Sequence, residues 1–250
     1  MKILSIDTAS DLCTVAILED EACIKEIVVN DARNHSEKIM PVIQQAFEET
    51  NINLKDINLI VCDKGPGSFT GIRIGVGTVL AFQDTLDIPC IGISSLEVLA
   101  YNTITNINTN TNTNTNKLIC SLIDAKNDNV YLGIFKYDNN NASNNINQIE
   151  NFEFKNINEA ISLLKNYSKN IPITFVGDGS IIHKNLLQNN FENCMFSDKN
   201  NLSSYSLGLA GLNTYKKGID TSLMPLYLRK SQAERALEEK SLEVNSKKDV

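Results

Sequence analysis

Histidine is nearly absent. The 250-residue chain has two, His35 and His183, and neither belongs to an HxxxH or HxxE pair, so a histidine-based metal site lacks its ligands. The six cysteines are scattered, mostly inside apolar runs, without a CxxC pair. Neither a zinc cage nor a disulfide framework is indicated, and the thiols are expected to be reduced in a cytoplasmic protein. No apolar stretch approaches the roughly 20 residues a membrane span needs, and Met1–Ile6 runs straight into Asp7 without a signal peptide's apolar block. Positive charge is also short: 23 Lys and Arg against 30 Asp and Glu give a net charge of −7. Unaided nucleic-acid binding is disfavoured, because counterion release needs a basic face. There is no GxSxG nucleophile elbow and no credible histidine close in sequence to Ser68.

What is present suits a packed α/β protein, with 42% hydrophobic residues. Of 33 asparagines, 28 follow residue 100, and they mark two polar tracts, 102–116 and 139–147, expected to be exposed loops. The first divides the chain into halves that look alike. Ile3–Ile6 ends in Asp7 and Leu118–Ile123 ends in Asp124. Second strands follow at Cys13–Leu18 and Val130–Phe135, then helix-period stretches at Ile39–Phe47 and Ile157–Leu164. Strands at Leu59–Cys62 and Ile173–Val176 come next. This near-constant offset predicts a duplicated β-hairpin–α–β–α unit. The implied organisation is 1–101, a connector 102–116, 117–228, and a charged tail 229–250, helical at first and then frayed. Helices are also expected over Ile72–Leu86 and Ser203–Lys217, the latter closing at Gly218, with His183 an ordinary helix residue.

The run Gly65-Pro66-Gly67-Ser68-Phe69-Thr70-Gly71-Ile72-Arg73-Ile74-Gly75-Val76-Gly77 follows a strand and opens a helix, where backbone N–H groups can meet an anion. It is neither a Walker A loop nor a dinucleotide fingerprint. Gly71, Gly75 and Gly77 strip side chains from one helical stripe, which reads as a surface for close approach of a partner helix. On that reading Gly75→Leu abolishes partner binding and leaves the monomer folded. Upstream, Asn34 and Glu37 have capping-box spacing ahead of an apolar stripe of Ile39, Met40, Ile43, Ala46 and Phe47. Pro41 predicts a kink or a later helix start. His35 reads as a capping or hydrogen-bonding residue. Asp7 and Asp124 either face one another across a cleft, where a nucleotide's Mg²⁺ could sit, or cap the first hairpin turn of each half. Gly177-Asp178-Gly179-Ser180 is either a phosphate loop or a plain strand-to-helix turn. A kinase or ATPase is disfavoured because the turns after Asp7 and Asp124 lack glycine, which backbones wrapping a phosphate use.

Asp31-Ala32-Arg33-Asn34-His35-Ser36-Glu37, the GPGSFTGIRIG run, Gly92-Ile-Ser-Ser-Leu96 and Pro225-Leu-Tyr-Leu-Arg229 together resemble the TsaB (YeaZ) family, in order from Met1 to about Arg229. The resemblance implies an actin-like, sugar-kinase and Hsp70 (ASKHA) fold of two ribonuclease-H-like halves. It implies a non-catalytic partner of TsaD in threonylcarbamoyl transfer to the adenosine beside the anticodon of tRNAs reading codons that start with A. TsaE would join through the complex, and tRNA contact would come through it. The lack of a metal-binding histidine pair is similar to TsaB rather than TsaD. Carried onto this chain, the contact with TsaD, or with a second copy, falls on His35, Ser36, Ile39, Met40, Ile43 and Phe47 and on Gly67, Ser68, Phe69, Thr70, Gly71, Arg73, Gly75 and Gly77. The family implies no cofactor for this chain, with ATP and Mg²⁺ acting at the level of the complex; Asp7, Asp124, Gly177, Asp178 and Gly179 are the candidate nucleotide residues.

Overall fold

A computed structural model describes residues 1–31, 34–104, 117–138, 145–168, 171–219 and 222–229. Arg33, most of the 102–116 connector and the tail beyond Arg229 lie outside the described residues.

The first half reads β1 (Lys2–Asp7), β2 (Leu12–Glu19), β3 (Ala22–Asn30), α1 (His35–Thr50), β4 (Leu59–Asp63), α2 (Phe69–Leu86), β5 (Cys90–Ile93) and α3 (Ser95–Asn102). The second reads β6 (Lys117–Asp124), β7 (Asn129–Asp138), β8 (Asn145–Gln148), β9 (Glu153–Asn156), α4 (Ile157–Tyr167), β10 (Ile173–Val176), α5 (Asp178–Ile182), α6 (Lys184–Asn190), β11 (Cys194–Phe196) and α7 (Ser204–Lys216). The sheets run β3-β2-β1-β4-β5 and β8-β7-β6-β10-β11. They share one order, antiparallel through the hairpin and parallel beyond it. β9 pairs with the first residues of β7 while β8 pairs with its last, so the two together occupy the place of β3. The duplication expected from the strand offsets is thus present as two ribonuclease-H-like halves, and each half carries strands that the apolar runs did not reveal.

β1 and β4 are buried along almost their whole length, because helices cover both faces of the first sheet. α1 and α2 lie on one side. On the other, Ser5 Oγ donates to the carbonyl of Ser204 (2.6 Å), and the Gly208 and Gly211 positions of α7 press on Leu18 and Val61. α7 therefore serves the first half although it comes from the second. Conversely α3 packs on β6 and β7. The exchange welds one core cluster across the halves. α7 ends as expected, with Gly218 (φ +65°) left-handed and the N–H groups of Gly218 and Ile219 donating to the carbonyls of Tyr215 and Thr214, the two bonds of a Schellman motif.

Local expectations are corrected at three positions. The Asn34–Glu37 capping box does not form: the Asn34 amide donates to both carboxylate oxygens of Asp31 (3.0 and 3.1 Å) instead. Nor does Pro41 delay the helix, which starts at His35 and runs through it. Burial of Ile39, Val42, Ile43 and Ala46 against the sheet holds the helix, while Pro41 and Glu37, whose carbonyl loses its donor, lie on the exposed side. His183 is not within a helix either but in the turn where α5 stops and α6 begins.

Candidate functional site

Four carboxylates gather at the carboxyl ends of the central strands, where open α/β sheets bind ligands. Asp7 is fully buried; its Oδ1 accepts the Ala9 N–H (2.7 Å). Asp63, also buried, accepts the Gly65 N–H (2.7 Å) and the Ser95 hydroxyl (2.6 Å). The second oxygen of each is buried with no partner among the described residues. Burial, then the Asp63 charge, pushes Asp7 well above the usual carboxylate range; burial lifts Asp63 to about 6. Asp63 raises Asp7, whereas Asp7 lowers Asp63, so of this pair Asp7 is the one that keeps a proton.

The second half treats its pair differently. Asp124 and Asp178 line a cavity of about 350 Å³ between the halves, with Ser10, Gly67, Lys126 and Tyr131 also on its wall. Asp124 accepts the Lys126 N–H (3.0 Å) and ammonium (2.5 Å). Burial raises its pKa, but those two donors outweigh it and hold the carboxylate below its ordinary value. Asp178 accepts the N–H groups of Asp124 (3.0 Å) and Gly179 (2.8 Å). The expectation that Asp7 faces Asp124 across the cleft is corrected: Asp7 points into the first half's interior. Both aspartates accept the N–H two residues on, the turn-capping role.

The glycine loops are packed rather than open. A Cβ on Gly177 (φ +99°) would sit 2.2 Å from the Leu122 carbonyl, and the Gly177 N–H is taken by Asn200. In the long run after β4, the Ser68 N–H donates to the Ala9 carbonyl (2.7 Å) and the Gly71 N–H to Ser68 Oγ (3.2 Å). A Cβ on Gly67 would meet the Ala9 carbonyl at 2.2 Å, one on Gly71 the Thr8 carbonyl at 1.9 Å, and one on Gly75 Thr8 Oγ1 at 2.5 Å. The stripe therefore admits this chain's own β1–β2 turn, not a partner helix. The expectation that Gly75→Leu leaves the monomer folded is overturned by the same distance.

His35, 4% exposed, makes the hydrogen bond anticipated for it, Nε2 to the Ser10 carbonyl (2.9 Å), and so fastens α1 to that turn. Ile39 and Ile43 are core residues, and Phe47, Gly67 and Phe69 are half-buried. Ser36, Met40, Ser68, Thr70, Arg73 and Gly77 are exposed. A Cβ on Gly77 would meet nothing within 4 Å. Leu80, which the sequence did not single out, joins this outer face of α1 and α2 with Met40; they are 39% and 50% exposed. Its signal was one turn of helix beyond Gly77. Arg73 is exposed but engaged: it stacks over Phe69 (4.0 Å) and donates from Nε to Tyr227 (2.9 Å), whose ring stacks on Phe69 at 4.4 Å. This ties residues 222–229, where Leu226 N–H also donates to the Lys64 carbonyl (2.7 Å), to the mouth of α2.

The chain is 30% identical to the tRNA threonylcarbamoyladenosine biosynthesis protein TsaB of Bacillus subtilis, over 94% of this chain and 96% of that one. The chain belongs to the TsaB family. The family model described as TsaD, tRNA N6-adenosine threonylcarbamoyltransferase, matches residues 24–237. The Escherichia coli TsaB is 32% identical over 56% of this chain and 57% of its own. The crystal structure of YeaZ from Pseudomonas aeruginosa superposes with a TM-score of 0.69 at 20% identity, covering 91% of this chain and 99% of that one; at that identity it supports the fold alone. Among the described residues no helix is long and apolar enough to cross a membrane. As a TsaB, the chain has a role in the biosynthesis of tRNA threonylcarbamoyladenosine, the process for which these relatives are named.

Proposed function

We propose that this TsaB is a non-catalytic partner of TsaD in threonylcarbamoyl transfer to the adenosine beside the anticodon, and that it docks through the outer face of α1 and α2. The observation that carries this reading is a face outside the monomer's core: Met40, Thr70 and Gly77 of the candidate interface, with Leu80 beside them, an apolar and small-residue surface with open space over Gly77. Two such faces also fit one another in a homodimer, which would compete with TsaD for the surface. TsaE and tRNA would join through the complex, and this chain would need no cofactor, ATP and Mg²⁺ acting at the level of the complex. A self-sufficient ATPase finds less support, since several N–H groups of the glycine loops are spent inside the chain.

The test is a reconstituted reaction containing TsaC, TsaD, TsaE, threonine, bicarbonate, ATP and unmodified tRNA, with and without this chain, the nucleosides read by mass spectrometry. Product only in its presence supports the reading; equal product without it overturns it. Gly77→Leu with Met40→Glu is expected to abolish co-elution with TsaD while circular dichroism and melting temperature stay unchanged.

A further inference from the structure

A second cavity, about 340 Å³, lies away from the carboxylate cleft, at the small end of the range for small-molecule sites. Both halves and α7 contribute to it: Lys64 and Glu97 from the first half, Phe135 and Phe152 from the second, and Lys217 from the end of α7. The wall thus carries two ammonium groups, one carboxylate and two aromatic rings.

Glu97 is the informative residue. Ser94-Ser95-Leu96-Glu97 has the capping-box pattern, and Ser94 does cap α3 by accepting the Leu96 N–H (3.2 Å). In a capping box the glutamate would return to the serine's own N–H. No such bond forms, and Glu97 has no hydrogen bond or close ion pair among the described residues. Glu97 lines the cavity instead. Burial pushes its pKa up to about 7, against the pull of Lys64 and Lys217. A half-buried carboxylate without a local partner is left available to a cationic group of a ligand. Lys64 spends one of its three donors on the Ser222 carbonyl (3.3 Å).

A lone anion would meet the Glu97 charge, a lone cation would meet two lysines, and a divalent metal would have one carboxylate against two ammonium groups. A molecule carrying both charges fits all three. We propose that this cavity binds a free α-amino acid, its ammonium on Glu97, its carboxylate toward Lys64 and Lys217, and an apolar side chain against Phe135 and Phe152. The ligand would bridge the two halves on the side away from Asp124. This site is independent of the docking face proposed above, and either can fail without the other.

The experiment uses the full chain and the twenty L-amino acids, each added singly in the millimolar range, with binding read by amide chemical shifts and then by calorimetry. At least one amino acid is expected to bind, and its deaminated acid and decarboxylated amine are each expected to bind at least about tenfold more weakly. Glu97→Gln should weaken binding by a similar factor. Lys217→Ala, at an exposed position and so safe for folding, should do the same. Binding of no amino acid overturns the proposal. So does a deaminated acid that binds as tightly as its parent, which would mark a plain anion site, or an affinity unchanged in both variants.

Discussion

In the first half the strand-end carboxylates are sealed behind α2 and α3; in the second they line an open cavity beside a lysine. Asp7 keeps a proton because burial and the Asp63 charge outweigh the single N–H donated to it. Asp124, at the matching end of β6, is ionised and paired with Lys126. The difference follows from the helices. α2 is 18 residues long and seats a loop against the β1–β2 turn, whereas its counterpart is broken at His183 into α5 and α6, five and seven residues long. One topology therefore yields a sealed acid pair in one copy and, in the other, a pair whose Asp124 is held ionised by Lys126, so surroundings rather than residue type decide the charge.

That contrast can be broken most sharply at the glycines. Gly71→Val is expected to destabilise the chain by about 3 kcal/mol or more, since an overpacked site cannot relax when the obstacle is backbone; Gly77→Leu on the same helix should leave the urea midpoint unchanged. Equal effects would mean that the turn yields to the helix.

The next largest effect is a pH dependence of opposite sign in the two halves. Asp7 and Asp63 titrate above the unfolded-chain value of about 4, so the unfolded state releases protons that the native state keeps. Their contribution is therefore fully present below about pH 4 and is lost as pH rises through about 6 and beyond. Asp7→Asn removes the charge coupled to Asp63. It should stabilise the chain at neutral pH and flatten the slope of stability between about pH 4 and 7. Asp124 titrates low, so its contribution is present above the unfolded value and is lost as pH falls through its folded pKa. Asp124→Asn should lower stability at neutral pH, with the difference vanishing in acid. Denaturation midpoints across that range check both, and a matching slope in the two variants would remove the contrast.

A smaller effect tests the helix exchange. Ser204 on α7 shares a 2.6 Å hydrogen bond with Thr14 on β2, wholly buried. Ser204→Ala should cost about 1–2 kcal/mol and show up in exchange protection of the first sheet, not the second. The least effect belongs to Lys126→Ala: its side chain is 81% exposed, and surface ion pairs contribute about 0.5 kcal/mol or less.

Most strands, both long helices of the first half and the Gly218 stop were legible in the sequence, because they rest on local periodicity and backbone chemistry. β3, β5, β8, β9 and β11 were not: they lie toward the sheet edges, where a short or polar strand such as Glu153-Phe-Lys-Asn156 has no apolar alternation to read. For the candidate interface, sequence reasoning found the right helices but not the right faces. Ile39 and Met40 are neighbours in one apolar stripe, yet Ile39 lies on the sheet and Met40 in solvent. Likewise Gly75 and Gly77 look alike as letters, while one meets Thr8 and the other meets nothing. Glu97 carried a capping-box signal that the tertiary structure diverted into a cavity.

The sequence by itself determined the duplicated hairpin–helix–strand pattern and the family, because both are written in residue identity and spacing along the chain. Only the tertiary structure decided which aspartate is charged, which glycine is open, and that α7 completes the half it does not come from. Those outcomes depend on what lies opposite a residue across the core, often more than a hundred positions away in sequence.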